Sequence, residues 1–200
     1  MNLIRLFALV VVLIVLNGCS TQKDFVRPAK DSFTLGKSTR ADVIRAVGDS
    51  SSVSSVVSPS GKEVEVVSYF YRENPSFYGM IINKHSLLYS FFENVLVGEE
   101  YNSAYSKDET KFDIDKITQI KKGMAESDVI SLMGPPSGRT VFPIISDKDG
   151  HSLNYSYSYD RFIGFGITTH NDYRLVVTMD NNSVVSDVRY SKDGIAQVIQ

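Results

Sequence analysis

Two segments of the sequence repeat one pattern, and this duplication constrains the fold more than any other feature. The first copy runs from Gly36 to Gly48, and the second runs from Gly123 to Gly134. In each copy an apolar residue precedes the first Gly by three positions, an Asp-Val-Ile sequence begins a short helix, and a Gly ends it. Internal similarity of this kind indicates a duplicated supersecondary unit.

Each copy predicts one short amphipathic helix. Thr39 and Asp42 predict a capping box at the start of the first helix. Ala125 takes the place of Thr39 before Asp128 and cannot cap, so we expect the second helix start to be weaker by about 1 kcal/mol. The apolar residues of both helices are spaced i, i+1 and i+4, which forms one stripe. They are Val43, Ile44 and Val47 in the first copy and Val129, Ile130 and Met133 in the second.

Signals at the helix ends differ between the copies. Gly48 and Gly134 are suited to the positive φ that commonly ends a helix, and Pro135-Pro136 prevents the second helix from continuing.

A further short helix is predicted before the second copy because isoleucines recur there at every third position. They are Ile114, Ile117 and Ile120. The matching stretch before Phe33 is polar and lacks this stripe.

Alternating patterns downstream of both helices predict antiparallel strands. In residues 153–160, Leu and Tyr alternate with Asn, Ser and Asp, which is typical of a sheet with one solvated face. Residues 63–72 are the matching strand of the first copy. Each copy then closes with two more predicted strands. They are residues 87–94 and 95–101 in the first copy, and residues 174–180 and 183–190 in the second, where Asn181-Asn182 suits a tight turn. Residues 49–60 contain seven Ser and are compatible with a loop or an edge strand.

These elements together predict an α+β fold. Two tandem helix-helix-antiparallel-sheet repeats, residues 33–105 and 106–200, are expected to form one continuous antiparallel sheet with short helices on one face. With 200 residues and 42% hydrophobic content, the chain can bury an ordinary core.

The first 18 residues predict a signal peptide of the lipoprotein type. Residues 1–5 carry one positive charge, and residues 6–16 form an apolar run too short to span a bilayer comfortably. The sequence Leu16-Asn17-Gly18-Cys19 resembles the lipobox of bacterial lipoproteins. The resemblance implies diacylglyceryl transfer to Cys19, cleavage before it, and acylation of the new amine, as by palmitate. In Gram-negative lipoproteins, Asp after the cysteine tends to signal retention in the inner membrane. Ser20 at this position therefore implies the outer membrane, with the domain facing the periplasm.

Lipidation also accounts for the cysteine count. Cys19 is the only cysteine of the chain, so it cannot form an intramolecular disulfide. Residues 19–32 are polar and predict a lipidated tether. Removal of residues 1–18 takes away one Arg and no acid, so the net charge changes from −2 to −3. No basic stripe is present, and we do not expect nucleic acid as a partner.

The repeated helix motif, the Gly-Pro exit and the closing hairpin together resemble the SmpA/OmlA family, also called BamE-like lipoproteins. The resemblance covers about residues 33–191. The tandem arrangement also resembles the β-lactamase-inhibitor protein fold. Both resemblances imply that the motif residues are scaffold residues. These are Gly36, Thr39, Asp42, Val43 and Gly48 in the first copy and Gly123, Asp128, Val129, Gly134 and Pro135 in the second.

Motifs that resemble catalytic or metal sites are incomplete. Gly36-Lys37-Ser38 lacks the earlier Gly of a phosphate-binding loop, because Asp31 stands at that position. His85, His151 and His170 are scattered without metal-ligand spacing, and we expect them in solvated loops. There is no Gly-x-Ser-x-Gly sequence. We therefore predict no catalytic residues, no metal, no cofactor and no enzymatic activity.

Two aromatic segments occupy equivalent places after the first long strand of each copy. Phe77 and Tyr78 lie in one, and Phe162 and Phe165 lie in the other. Exposed aromatic side chains on loops are good binding anchors, so these four residues are candidates for partner binding. The alternative is that they fold back and complete the core.

The sequence therefore predicts an outer-membrane lipoprotein that binds envelope proteins of unidentified type as a non-enzymatic assembly or integrity factor. One alternative is an inhibitor or ligand-binding module that uses the concave face of the sheet. A lesser alternative is a hydrolase that modifies the cell wall.

Overall fold

Ten strands in one antiparallel sheet dominate the computed structural model, which describes residues 24–74 and 77–197. The strand order is β1-β2-β4-β5-β6-β7-β8-β9-β10, and β3 pairs with β7 outside this path. The strands are β1 Ser52–Val57, β2 Glu63–Arg72, β3 Ile81–Ile82, β4 Lys84–Phe92, β5 Val95–Ser103, β6 Gly138–Val141, β7 His151–Gly164, β8 Ile167–Met179, β9 Val185–Lys192 and β10 Ile195–Gln197. Of the two possibilities for residues 49–60, the edge strand β1 is the one observed.

The predicted α+β class, with two tandem helix-helix-sheet repeats, is wrong. The protein is mainly antiparallel β. The described residues also form two α-helices of eight residues each, α1 Arg40–Val47 and α2 Glu126–Met133, and one 3₁₀ helix of six residues, Ile114–Gln119. These helices pack on the ten-stranded sheet. Residues 24–33 contain no helix. The physical reason is that this stretch has no apolar stripe, whereas most apolar residues of the chain follow the period of two that strands bury.

The ends of the two α-helices have the predicted geometry. The capping box of α1 is confirmed, because Asp42 N donates to Thr39 Oγ1 and Thr39 N donates to the Asp42 carboxylate at 2.9 Å. Hydrogen bonds from Thr39 hold the pKa of Asp42 below its ordinary value. Helix α2 begins at Ala125 without a side-chain cap. Gly48 and Gly134 end the helices at φ of 94° and 85°.

Two apolar clusters lie between the helices and the same face of the sheet. In the first, Val43 of α1 packs on β2, β4 and β5. Its buried members are Val43, Val67, Tyr69, Leu87, Tyr89, Phe91, Leu96 and Tyr101. In the second, α2 and the 3₁₀ helix pack on β7, β8 and β9. Its buried members, apart from Ala104, are Phe112, Ile117, Ile120, Val129, Met133, Leu153, Tyr155, Tyr157, Leu175, Val177, Met179 and Val185. We call this side the helix face and the opposite side the open face.

Contacts below the two helices correspond locally. Tyr69 of β2 donates a hydrogen bond from its hydroxyl to the carbonyl of Gly48 at 2.9 Å. Tyr155 of β7 donates to the carbonyl of Gly134 at 3.1 Å. Burial raises the pKa of Tyr155 to about 12, so its hydroxyl remains a donor at neutral pH. Each helix is therefore fastened to the sheet at its C-terminal end by one tyrosine.

The described part of the predicted tether, residues 24–32, lies against the first cluster. Asp24 Oδ1 is 2.7 Å from His85 Nε2, and Phe25 lies against the His85 ring with centroids 4.4 Å apart. The Arg27 guanidinium lies 4.1 Å from the centroid of the Tyr101 ring. Residue Phe25 of this segment therefore packs on the first cluster, while Ile117 of the 3₁₀ helix packs in the second.

Candidate protein-binding surface

The hairpin formed by β7 and β8 carries the most exposed apolar residue of the described chain at its turn. Phe165 lies between Gly164 and Gly166, and the three have φ of 90°, 50° and 75°. Positive φ is unusual for a bulky residue and costs about 1 kcal/mol or more. This backbone places the phenyl ring of Phe165 fully in solvent.

The first aromatic segment packs beside this hairpin. Gly79 N donates to the carbonyl of Phe162 at 2.6 Å, and Phe162 N donates to the carbonyl of Met80 at 3.0 Å. Strand β3 then pairs with Asp160 and Arg161 of β7. The two segments that the sequence marks as candidates are therefore brought together in space, although they are about 85 residues apart.

Exposed apolar side chains concentrate at this junction. Phe77 is 74% exposed and Tyr78 is 78% exposed, so neither completes the core. Phe162 is half-buried and is not counted among these exposed side chains. We call the group of exposed apolar side chains at this junction the aromatic tip. Its members are Phe77, Tyr78, Ile81, Ile163, Phe165 and Ile167. The three isoleucines were missed by sequence reasoning, although apolar residues beside a Gly-Phe-Gly turn were a signal for them.

A charged cluster fixes the base of the hairpin on the open face. Asp160 Oδ1 lies 2.8 Å from Lys84 Nζ and 2.8 Å from His170 Nδ1, and Asp160 Oδ2 lies 3.1 Å from Arg72 Nε. Burial alone would raise the pKa of Asp160, but hydrogen bonds from Lys84 and His170 and the nearby positive charges hold it below its ordinary value. The cluster joins β2, β4, β7 and β8. Sequence reasoning missed it because its four members come from four separate strands.

The open face carries small polar side chains, and part of it is covered. The sequence predicts a solvated face, yet Ser152, Asn154 and Ser156 are buried. Segment 142–149 folds over them, with Ile145 buried and Ser60 Oγ donating to the carbonyl of Pro143 at 2.9 Å. The expectation of one fully solvated face is therefore wrong in the middle of the sheet.

Segment 142–149 separates two hollows of about 580 and 420 Å³ on the open face. Thr140, Ile144 and Arg174 line both. Arg174 Nη2 lies 2.8 Å from Glu100 Oε2, so an ion pair lies close to where the hollows meet. The smaller hollow is otherwise lined mainly by valine, leucine and serine from β1, β2 and β4. Among these residues are Ser54, Val56, Val64, Val66, Ser68, Leu88 and Ser90.

The three histidines do not lie in solvated loops as expected. All three are strand residues, and each contacts a carboxylate within 2.9 Å: His85 contacts Asp24, His151 contacts Glu126, and His170 contacts Asp160. Within the part of the chain that the structure describes, none of the three imidazole rings is hydrogen-bonded to a serine. Nor do residues 24–74 and 77–197 contain a group of three or more His, Cys, Asp or Glu positioned to hold a metal ion.

Residues that concern membrane attachment lie largely outside the described part of the chain. Cys19, the predicted lipidation site, precedes residue 24. Within the described ranges no helix combines the length and the apolar content that crossing a bilayer requires.

Comparisons with known proteins identify no family for this chain and show only a weak structural likeness. No family model and no curated protein matches the chain, so neither supports the predicted SmpA/OmlA membership. One solved structure with a detectable likeness is a "putative beta-lactamase inhibitor protein" from Streptococcus mutans. It has a TM-score of 0.39 and 11% identity, and the match covers 76% of this chain and 82% of that chain. A likeness at this level carries no argument about function.

Proposed function

We propose that this protein is an outer-membrane lipoprotein, anchored by lipid on Cys19, that binds other envelope proteins and has no enzymatic activity. The observation that carries the proposal is the aromatic tip. Two distant segments converge there, and they present Phe77, Tyr78 and Phe165 to solvent. Contiguous exposed apolar groups on a folded protein commonly mark an interaction site.

The tip is suited to binding because its backbone is already ordered. Strand β3 braces one side of the hairpin, and the base is fixed by the ion pairs of Asp160. A preorganised surface loses little conformational entropy when it binds. Full burial of one phenylalanine against a partner contributes roughly 1.5 to 3 kcal/mol. Two or three buried rings therefore contribute roughly 3 to 9 kcal/mol to an interface before the cost of association is subtracted.

In vivo photo-crosslinking tests this proposal in the full-length, membrane-anchored protein. A photoreactive amino acid replaces Phe165 or Tyr78 in the tip. The matched control is Asn182, which is also exposed but lies beyond the opposite end of β8. We expect the two tip positions to give the same discrete protein adducts and the control to give none of them.

A second variant tests the role of the ring itself. Phe165→Ser removes an exposed side chain and should leave the fold intact, while it should reduce the adducts formed from Tyr78. Tip positions that yield no adduct, or the same adducts as Asn182, would contradict the proposal.

The two hollows of the open face favour a second candidate, an inhibitor or ligand-binding module. In that case the binding surface lies around Leu88 and Arg174 rather than at the tip. Leu88→Arg should then abolish binding of a captured partner, and Phe165→Ser should leave it unchanged. The opposite result supports the tip.

A further inference from the structure

Strand β1 forms one end of the sheet, and its outer edge has no strand beside it among the described residues. It pairs with β2 in regular register, from Ser52 opposite Ser68 to Val57 opposite Glu63, with no bulge. All six of its residues are exposed. The outer row of backbone N–H and C=O groups is therefore available to a further strand.

This edge lacks the features that normally prevent strands from pairing with another chain. Such features are charged side chains, proline or a bulge within the edge strand. No charged residue lies between Asp49 and Lys62, and the proline nearest to β1, Pro59, lies beyond its end. Val57 is 76% exposed, and Val53 and Val56 are each about half exposed.

We infer that the β1 edge pairs with β1 of a second copy of this chain, antiparallel across a two-fold axis. The strand is complementary to itself: with Ser55 on the axis, Val53 faces Val57 of the second copy on the same face of the sheet. Apolar cross-strand pairs of this kind stabilise an antiparallel ladder. Because β1 has no charge, no like charges meet across the axis, as a self-complementary interface requires.

The pairing joins two ten-stranded sheets into one and leaves the aromatic tip of each copy free. It does not depend on the proposed function, because β1 shares no residue with the tip.

A cysteine scan in the full-length, membrane-anchored protein tests this inference. Ser52→Cys, Ser54→Cys and Ser55→Cys are made one at a time. Residues opposite each other in an antiparallel ladder have Cα atoms about 4.5 to 5.5 Å apart, which is within disulfide range. We expect the position at the axis to give at least about tenfold more disulfide-linked dimer than Ser131→Cys, an exposed position on α2.

Charge reversal at the axis distinguishes self-pairing from pairing with another protein. Ser55→Lys and Ser55→Asp should each reduce the dimer fraction measured by light scattering in detergent, because like charges then face each other. Mixing the two variants should restore it. The inference is overturned if Ser55→Cys does not exceed the Ser131 control, if the cysteines link to a different protein, or if mixing restores nothing. An unchanged circular dichroism spectrum and urea midpoint of both variants show that the fold is intact.

Discussion

Replacing Asp160 by Asn should lower the free energy of unfolding by about 3 kcal/mol. The side chains of Lys84 and Asp160 are only 7% and 14% exposed, and their charged atoms are 2.8 Å apart. Removing one member of a buried ion pair leaves the other charge uncompensated, which costs about 3 to 5 kcal/mol. We expect the lower end because Arg72 and His170, the other partners, are more exposed and better screened.

Equilibrium unfolding in urea at pH 7, followed by tyrosine fluorescence, measures this cost, since the chain has 11 Tyr and no Trp. The control is the double variant Asp160→Asn/Lys84→Met. It removes both charges and should cost clearly less than Asp160→Asn alone, because a well-packed apolar replacement of an ion pair is often close to neutral. A cost of Asp160→Asn below about 0.5 kcal/mol, or strict additivity of the two single variants, would refute the reasoning.

The same variant has a defined pH dependence. The pKa of Asp160 is lower in the folded protein than in the unfolded chain, where it is about 3.9. Its contribution is therefore fully present above the unfolded pKa and is lost as the pH falls through the lower folded value. The stability difference between wild type and Asp160→Asn should shrink as the pH falls below about 4.

Three further predictions concern the helix caps, the open face and the anchor. Thr39→Ala should cost about 1 kcal/mol and Ala125→Ser should gain up to about that amount in urea unfolding, because α1 has a side-chain cap and α2 has none. Equal effects of the same sign would contradict this. Gly98→Val should displace segment 142–149, since an added Cβ lies 2.8 Å from Ile144 Cδ1, and limited trypsin digestion should then cleave that segment faster. Cys19→Ala should abolish acyl labelling and release the protein from membranes, and labelling that persists would exclude lipidation at this position.

Local features of the fold could be predicted from the sequence. Thr39, Asp42 and Gly48 set the ends of α1 through contacts within a few residues of each other. Residues 63–72 were predicted as a strand and coincide with β2. These elements were predictable because propensity, capping and alternation are properties of short windows.

Features that depend on distant pairing could not be predicted. The predicted fold class was wrong because short helices have strong local sequence signals, whereas the outer half of the β7–β8 hairpin has no such signal. Residues 168–172 are polar and extend beyond the core, so their strand shows no apolar alternation. The burial of Ser152 and Asn154 likewise depends on segment 142–149, which reaches them from outside their own strand.

The outer half of this hairpin also supports the proposal that the aromatic tip binds a partner. The backbone ladder continues through its polar residues 168–172, so pairing of the two strands there does not need apolar side chains on these residues. Phe165 gains nothing from burial, and its positive φ costs free energy in the folded protein. Folding therefore makes no use of this side chain. The rings of Phe77 and Tyr78 are also largely exposed, although the Tyr78 ring lies against Gly164. Exposed rings that folding does not require are best accounted for by contact with a second molecule.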